Sequence, residues 1–320
     1  MIKTLKDTTS AKIQAAISDG RNNVGAASAL VFTMLVVADT SDYDAVFDAC
    51  VEAGREHPSR IILVADGSSR ADRLDAEVHL GEGVPGEILA LKFHGELAEH
   101  KYSTLLPLLL PDSPVIAWWP GTAPVSLAED PVGRLARRRI SDAMGARRPL
   151  DALMIRAKNL TPGDTDLTWT RLTPWRALLA AALDQHPVRV LAAEVQAAEN
   201  NAAGLLLAAW LRSRLQAPVT FVASEGPGIT QISLSTEAGE IRITRTDGKM
   251  ASFTAPRTPS RSVALRRRDI SALITEELRR LDADEVFSSA MRCLAADFED
   301  AAARPRASAL RGSRTKADVE

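Results

Sequence analysis

Two tryptophans, Trp118 and Trp119, end a short apolar segment and are followed directly by Pro120-Gly121. The segment 115–117 is apolar without alternation, which predicts a buried strand that stops at the proline. Successive strand side chains point to opposite faces, so we expect one indole in the core and the other exposed on the far side. Because open α/β sheets bind ligands and partners at the carboxyl ends of their strands, this turn is a candidate contact site. The alternative is that both rings pack beneath helices.

A second candidate region lies at 163–176, where carboxylates, indoles and guanidinium groups occur close together. Its polar and aromatic candidates are Asp164, Asp166, Trp169, Arg171, Trp175 and Arg176. The two acids either pair with the arginines or make an Asx turn. Thr173-Pro174 predicts the start of a helix, since proline is favoured at the first helical position.

These two regions supply residue types that dominate protein interfaces. Tryptophan and arginine combine a large buried area with directed hydrogen bonds, so we nominate both regions as partner-binding candidates. The competing interpretation is that the indoles are core residues and the arginines are structural. No side chain is predicted to bind a metal or a cofactor, because GxxxxGK, CxxC, HExxH and GxSxG are all absent from the sequence. The acid pair Glu276-Glu277 is expected to be exposed on a helix rather than catalytic.

Arginines bunch at 137–139 and 147–148. Guanidinium groups bind phosphate bidentately, so a sugar-phosphate-binding enzyme or sensor is the alternative function. The segment 81–86 has the glycine spacing of a dinucleotide fingerprint, but Pro85-Gly86 leads into a strand instead of a helix. We therefore predict a hairpin loop there and no dinucleotide site.

Composition points to an ordinary globular protein. The 320 residues are 46% hydrophobic and 25% charged, with a net charge of −2, which argues against nucleic-acid or membrane-surface binding by the whole chain. No segment approaches about 18 apolar residues, and the amino terminus lacks the apolar core of a signal peptide. Cys50 and Cys293 fall in helix-like segments, where we expect reduced core thiols without a redox switch. The sequence predicts a cytoplasmic protein.

The predicted elements give an α/β amino-terminal domain at 1–186, with a parallel or mixed sheet covered by helices. A strand at 29–38, a helix at 41–56 and a strand at 60–66 form a β-α-β unit. The further elements predicted in this domain are strands at 76–80 and 87–93 and helices at 96–110, 130–138, 149–158 and 174–183.

A smaller α+β domain is predicted at 187–300, followed by a basic, disordered tail at 301–320. Its elements are strands at 188–195 and 218–223, a helix at 200–215, an antiparallel meander at 229–234, 240–246 and 249–255, a further strand at 262–266, and helices at 270–281 and from 282. Asp247-Gly248 is the strongest hairpin signal in the chain.

Three segments in this order resemble one family: the Trp-Trp-Pro-Gly turn at 118–121, the Asp-Thr-Asp-Leu-Thr-Trp-Thr-Arg-Leu-Thr-Pro-Trp-Arg run at 164–176, and Glu-Leu-Arg-Arg-Leu-Asp-Ala-Asp-Glu-Val at 277–286. The chain is similar, apart from its tail, to the bacterial glucose-6-phosphate dehydrogenase assembly protein family, OpcA. The resemblance implies a non-catalytic cytoplasmic partner that promotes assembly and activity of glucose-6-phosphate dehydrogenase, the entry step of the oxidative pentose phosphate pathway.

Overall fold

The computed structural model describes residues 1–24, 30–39, 43–81, 83–245 and 247–314. For Val24 and for residues 300–314 it describes the backbone only. The chain forms two compact units, each made of three segments. The first unit contains Met1–Ala152, Thr161–Thr173 and Arg267–Asp284, and the second contains Leu153–Leu160, Pro174–Arg266 and the chain from Glu285 on. Each unit gathers segments that lie together in space although they are separate in sequence. The domain boundaries predicted at 186 and 300 divide the chain along its sequence, and they stay predictions.

The strands are β1 (Ile2–Leu5), β2 (Thr33–Val37), β3 (Ser59–Asp66), β4 (Arg73–Leu80), β5 (Gly86–His94), β6 (Val115–Trp119), β7 (Arg138–Ser141), β8 (Asp164–Asp166), β9 (Val190–Ala197), β10 (Val219–Ala223), β11 (Ile229–Thr236), β12 (Gly239–Thr244), β13 (Met250–Ala255) and β14 (Thr258–Ala264). The α-helices are α1 (Ser10–Val24), α2 (Tyr43–Glu56), α3 (Lys101–Leu105), α4 (Pro149–Lys158), α5 (Leu167–Arg171), α6 (Thr173–Gln185), α7 (Ala202–Arg214), α8 (Ile270–Leu278) and α9 (Glu285–Arg314).

The sheet of the first unit has the order β1-β4-β5-β3-β2-β6-β7-β8. The six strands from β5 to β8 in this order are mutually parallel. β4 runs antiparallel to β5, and the edge strand β1 runs antiparallel to β4. The predicted α/β fold with a mixed sheet is confirmed. From β2 the chain builds the sheet first through β3 and later through β6 on the other side, so β2 and β6 form a topological switch point.

Both faces of this sheet are covered. Trp119 belongs to an apolar cluster with Leu35 and Ala117 on one face, and Trp118 packs with Met34 and Ile116 on the other. The two indoles therefore point to opposite faces, as predicted. The expectation that one ring is exposed is wrong, because Trp118 is 0% and Trp119 is 1% exposed. A doubly covered parallel sheet explains why the strand is apolar without alternation.

Two predicted helices of the first unit differ from the structure. The helix predicted at 130–138 is wrong: the segment holds only a 3-10 turn, Gly133–Leu135. Asp130 accepts hydrogen bonds from the Val132 and Gly133 amides, and a Cβ at Gly133 would lie 1.7 Å from a backbone oxygen, so the glycine permits a close chain contact. The helix predicted at 96–110 is α3 between two 3-10 turns, the second of which contains Pro107.

Several predicted boundaries move by a few residues. The predicted strand at 29–38 is β2, which begins at Thr33, while Ala29 and Ser41, the proposed start of the helix at 41–56, lie outside the described residues. The loop at 81–86, apart from Glu82, joins the antiparallel strands β4 and β5, so the predicted hairpin is confirmed.

The second unit holds a six-stranded sheet of order β10-β9-β11-β12-β13-β14. β9 and β10 are parallel, and the remaining pairs are antiparallel, which confirms the predicted meander. At the predicted hairpin between β12 and β13, the Asp247 carboxylate accepts hydrogen bonds from the Lys249 and Met250 amides, while Thr246 lies outside the described residues. Helix α7 packs on the inner face, where Gly204 allows close approach to Ala197.

Helices α8 and α9 follow the predicted pattern with shifted ends. The Asp269 side chain caps α8 by accepting a hydrogen bond from the Ala272 amide. α9 runs to Arg314, into the segment predicted as a disordered tail, and residues 315–320 lie outside the described residues. Among the described residues, no helix is long and apolar enough to cross a membrane.

Candidate functional site

The predicted site residue Asp166 joins three parts of the first unit. It is 0% exposed at the end of β8 and caps α5 by accepting a hydrogen bond from the Thr168 amide at 2.8 Å. The same carboxylate accepts hydrogen bonds from the Ser141 hydroxyl at 2.6 Å and from the Ala143 amide at 3.0 Å. Asp166 thus holds β7, the loop after it and α5 together. The sequence left open whether Asp166 pairs with an arginine or makes an Asx turn. Its hydrogen bond from the Thr168 amide is of the Asx-turn type.

Two arginine–carboxylate pairs lie beside Asp166. Asp164 accepts a hydrogen bond from Arg139 Nε at 2.5 Å, and both side chains are buried. Arg171 donates from both terminal nitrogens to Asp142, at 2.5 and 2.8 Å. Burial raises the pKa of Asp142, and the Arg171 guanidinium opposes that shift. The planar, two-bond geometry of this pair fixes α5 against the end of β7.

Helix α8 closes this region from the other side. Glu277 is 9% exposed and accepts hydrogen bonds from Arg138 and from the Thr170 hydroxyl, the latter at 2.7 Å. The Trp169 indole donates to Asp284 Oδ2 at 2.9 Å. The expectation that Glu277 is an exposed helix residue is therefore wrong, because this face of α8 lies against α5 and β7.

We refer to this set as the buried polar network: Arg138, Arg139, Asp142, Asp164, Asp166, Thr170, Arg171 and Glu277. It joins segments from three distant parts of the sequence through charge-assisted hydrogen bonds. Sequence reasoning nominated three of these eight residues, Asp164, Asp166 and Arg171. It named Arg138 and Arg139 only as part of an arginine group, and it missed Asp142, Thr170 and Glu277 as members of the site. Thr170 and Glu277 lie in the second and third segments of the family resemblance, which is the one signal that the sequence offered for them, and Asp142 had none.

The nominated residues Trp175 and Arg176 lie in the second unit, on α6. Trp175 is 2% exposed, and the Arg245 guanidinium lies 4.8 Å from its ring centre. Arg245 also donates hydrogen bonds to the carbonyl oxygens of Leu265 and Ile229, at 3.0 and 3.3 Å. Trp175 is therefore a core anchor of the second unit, and Arg176 beside it is half-buried.

The arginine groups do not converge on one phosphate-binding position. Arg138 and Arg139 are buried and engaged by Glu277 and Asp164, respectively. Arg137 and Arg148 are exposed and pair with different carboxylates, Asp282 and Asp151. The geometry thus gives no support to a sugar-phosphate site made from these guanidinium groups.

An open cleft lies at the switch point of the first unit, next to the Trp-Trp-Pro-Gly turn. Its volume is about 50 Å³, and its polar wall includes Asp39 after β2, Asp66 at the end of β3, and Lys101. Pro120 and Gly121 form the opposite rim. Lys101 Nζ lies 2.7 Å from Asp66 Oδ1, and the Asp66 side chain is 65% exposed. These exposed carboxylates can accept hydrogen bonds from a cationic or hydroxyl-bearing partner.

No group of three or more His, Cys, Asp or Glu side chains with metal-binding geometry occurs among the described residues. Burial raises the pKa of both thiols, Cys50 and Cys293, and a neighbouring Asp297 adds to the effect at Cys293. Both side chains therefore stay protonated at neutral pH, and a protonated thiol is a poor nucleophile.

The fold and this site define a class: an α/β protein in which six of the ten nominated residues are buried and the strand ends frame an open cleft. Two family models match the chain in order: the glucose-6-phosphate dehydrogenase subunit N-terminal domain over residues 50–158 and its C-terminal domain over residues 162–291. Together they cover about three quarters of the chain. The chain belongs to this family, OpcA, as the sequence resemblance indicated.

A curated relative from Synechocystis sp. (strain ATCC 27184 / PCC 6803 / Kazusa), named as an OxPP cycle protein OpcA, is 29% identical over 157 residues. That match covers 46% of this chain and 32% of the relative, so it spans about a third of the relative's length.

Among solved structures, the chain is similar to the 3-ketoreductase KijD10 from Actinomadura kijaniata, with a TM-score of 0.44, 10% identity, and coverage of 82% of this chain and 95% of that one. A dehydrogenase (MviM) from Clostridium difficile gives a TM-score of 0.43 and 8% identity over 84% and 99% of the two chains. Likeness at this level carries no argument about activity.

Proposed function

We propose that this protein is a non-catalytic assembly factor and activator of glucose-6-phosphate dehydrogenase that acts by protein–protein contact in the oxidative pentose phosphate pathway. The observation that carries the proposal is the ordered match of two family models, both named for a subunit of that dehydrogenase. The name of the curated relative agrees with it. The protein works in the cytoplasm, beside its partner.

The structure supports a contact role over acid–base chemistry in the buried polar network. Asp142, Asp164 and Glu277 are each engaged by an arginine, and these ion pairs hold β7, β8, α5 and α8 together. A general acid or base needs reach to a reacting group, whereas these carboxylates are enclosed. In the proposed function these ion pairs hold the elements that carry the contact surface.

We further propose that the dehydrogenase docks on the rim of the open cleft. Six of the ten nominated residues are buried, so in this proposal they support the contact surface from below and do not touch the partner. They are Trp118, Trp119, Asp164, Asp166, Trp169 and Trp175. Pro120, Gly121, Arg171 and Arg176 are half-buried and remain the contact candidates. Pro120 and Gly121 lie on the cleft itself, at the switch point where open α/β sheets bind.

The test measures association of the purified chain with the dehydrogenase, together with the activity of that enzyme. The informative variant is Asp66→Lys, which reverses a 65% exposed charge on the cleft and repels Lys101. We expect dehydrogenase binding to weaken about tenfold. The new lysine would repel a cationic group of the partner that the Asp66 carboxylate attracts. The matched control is Asp151→Lys, which makes the same change on an exposed side chain of α4.

The outcomes separate the two parts of the proposal. A wild-type chain that neither binds nor activates the dehydrogenase would refute the assembly function. Binding that is equal for wild type, Asp66→Lys and Asp151→Lys would refute the cleft as the docking surface and leave the function in place.

A further inference from the structure

The outward face of the six-stranded sheet in the second unit carries polar side chains in aligned rows. Inward-facing residues such as Val195 and Ile232 are completely buried on the side of α7. On the opposite face, Glu194 of β9 lies directly across from Ser233 of β11, and Ser233 lies across from Arg242 of β12. One row thus places a carboxylate, a hydroxyl and a guanidinium on three neighbouring strands.

The neighbouring row binds two of these side chains, Glu194 and Ser233. Gln196, Gln231 and Thr244 occupy successive strands in register. The Gln231 amide donates to the Ser233 hydroxyl at 3.2 Å and accepts from the Thr244 hydroxyl at 3.3 Å. The Gln196 amide donates to Glu194 Oε1 at 2.7 Å. Because Glu194 and Ser233 are already bound along the sheet, they have little rotamer freedom to lose when a partner covers them.

The two charges in the first row lie one strand to either side of β11. Neighbouring strands are about 4.8 Å apart, so Glu194 and Arg242 are equidistant from the central strand and at the same height along it. A two-fold axis along β11, in the plane of contact, exchanges these two positions. It would place Glu194 of one copy over Arg242 of the other, twice. Ser233, which is only 8% exposed, would lie on the axis between these pairs.

The size of the face fits such a contact. An axis on β11 exchanges β9 with β12 and β10 with β13, so five of the six strands face their counterparts and β14 does not. Five strands of about six residues each give a surface of roughly 24 by 20 Å, on the order of 500 Å² for each copy. Two copies would bury about 1,000 Å², the lower limit for a specific protein interface. Twisted sheets pack face to face with their strands nearly aligned, which is the arrangement that this axis produces.

We propose that this face is the contact surface between two copies of this chain. Charge complementarity favours a second copy, since the row is complementary to its own two-fold image. Arg242 already contacts Glu240 on its own strand at 2.5 Å, but both side chains are more than 40% exposed. Such a pair is weak in water, so it leaves the guanidinium able to bind a second carboxylate. The proposal is independent of the dehydrogenase.

The experiment measures the mass of the full-length chain by sedimentation over a range of concentrations. Glu194→Arg alone should raise the dimer dissociation constant about tenfold or more, because two guanidinium groups then face each other, and Arg242→Glu alone should do the same with two carboxylates. The double variant restores opposite charges and should return the constant to near the wild-type value. Glu225→Arg, the same change on an exposed loop, is the matched control.

Circular dichroism and thermal unfolding establish that each variant is folded. A wild-type chain that remains monomeric at about 100 μM would overturn the proposal, because the contact would then be too weak for a stable dimer. Single variants with the wild-type dimer dissociation constant would also overturn the proposal. The same holds if the double variant dimerises no more tightly than the single variants. Single variants that lose dehydrogenase binding at unchanged mass would assign the face to that enzyme and likewise overturn it.

Discussion

The buried polar network and the open cleft of the first unit use similar residue types at the carboxyl ends of strands in one sheet. In the network, α5 and α8 cover the carboxylates. Each carboxylate pairs with an arginine or accepts hydrogen bonds from several other donors. In the cleft, Asp66 remains 65% exposed and has one lysine partner. The difference shows that covering helices, more than residue type, decide whether a charged side chain stabilises the fold or faces solvent.

The largest expected effect is the loss of the buried charge on Glu277. Glu277→Gln leaves the Arg138 guanidinium buried without its counter-charge, so we expect the free energy of unfolding to fall by about 3 kcal/mol or more. The adjacent variant Glu276→Gln removes a more exposed partner of Arg268 and should cost under about 1 kcal/mol. Urea unfolding of both proteins measures the contrast. Equal losses would mean that the network has no special role in stability.

A smaller effect is expected at the tryptophans. The Trp169 indole donates to Asp284, whereas the buried Trp118 nitrogen has no protein acceptor within the described part of the chain. Replacement by phenylalanine removes a similar volume at each site, so the difference isolates the hydrogen bond. Trp169→Phe should lower the unfolding free energy by about 1.5 kcal/mol more than Trp118→Phe, because the acceptor is charged. The opposite order would contradict this assignment.

The smallest effect is a dependence of stability on pH at Asp142. Burial raises the pKa of this carboxyl above its ordinary value of 3.8, with Arg171 opposing. The folded protein then binds this proton more readily than the unfolded chain, so the associated stability is present at acid pH and is lost as pH rises through the folded-state pKa.

Asp142→Asn does not titrate at this position and provides the reference. The unfolding free energy of wild type minus that of the variant should fall as pH rises from about 4 towards neutrality. Urea unfolding at several pH values gives this difference directly. A difference that grows with pH would mean that the Arg171 pair outweighs burial and lowers the pKa of Asp142.

The elements of the fold were largely predictable because local signals agree with tertiary placement. The β-α-β unit, the Asp247-Gly248 hairpin and the apolar strand β6 each follow from periodicity or turn chemistry. The helix predicted at 130–138 failed because Gly133 serves a close backbone contact that periodicity does not encode. The short elements β8 and α5 were missed because three to five residues carry no measurable period.

The sequence by itself determined the family, the mixed α/β sheet, the antiparallel meander and the opposite directions of Trp118 and Trp119. These properties depend on residue order and on the two-residue period of a strand, which are local. Only the tertiary structure decided that both rings are buried and that Glu277, more than 100 residues from its partners Arg138 and Thr170, closes the network. Burial and pairing depend on which distant segments cover a strand end, and no local pattern specifies that.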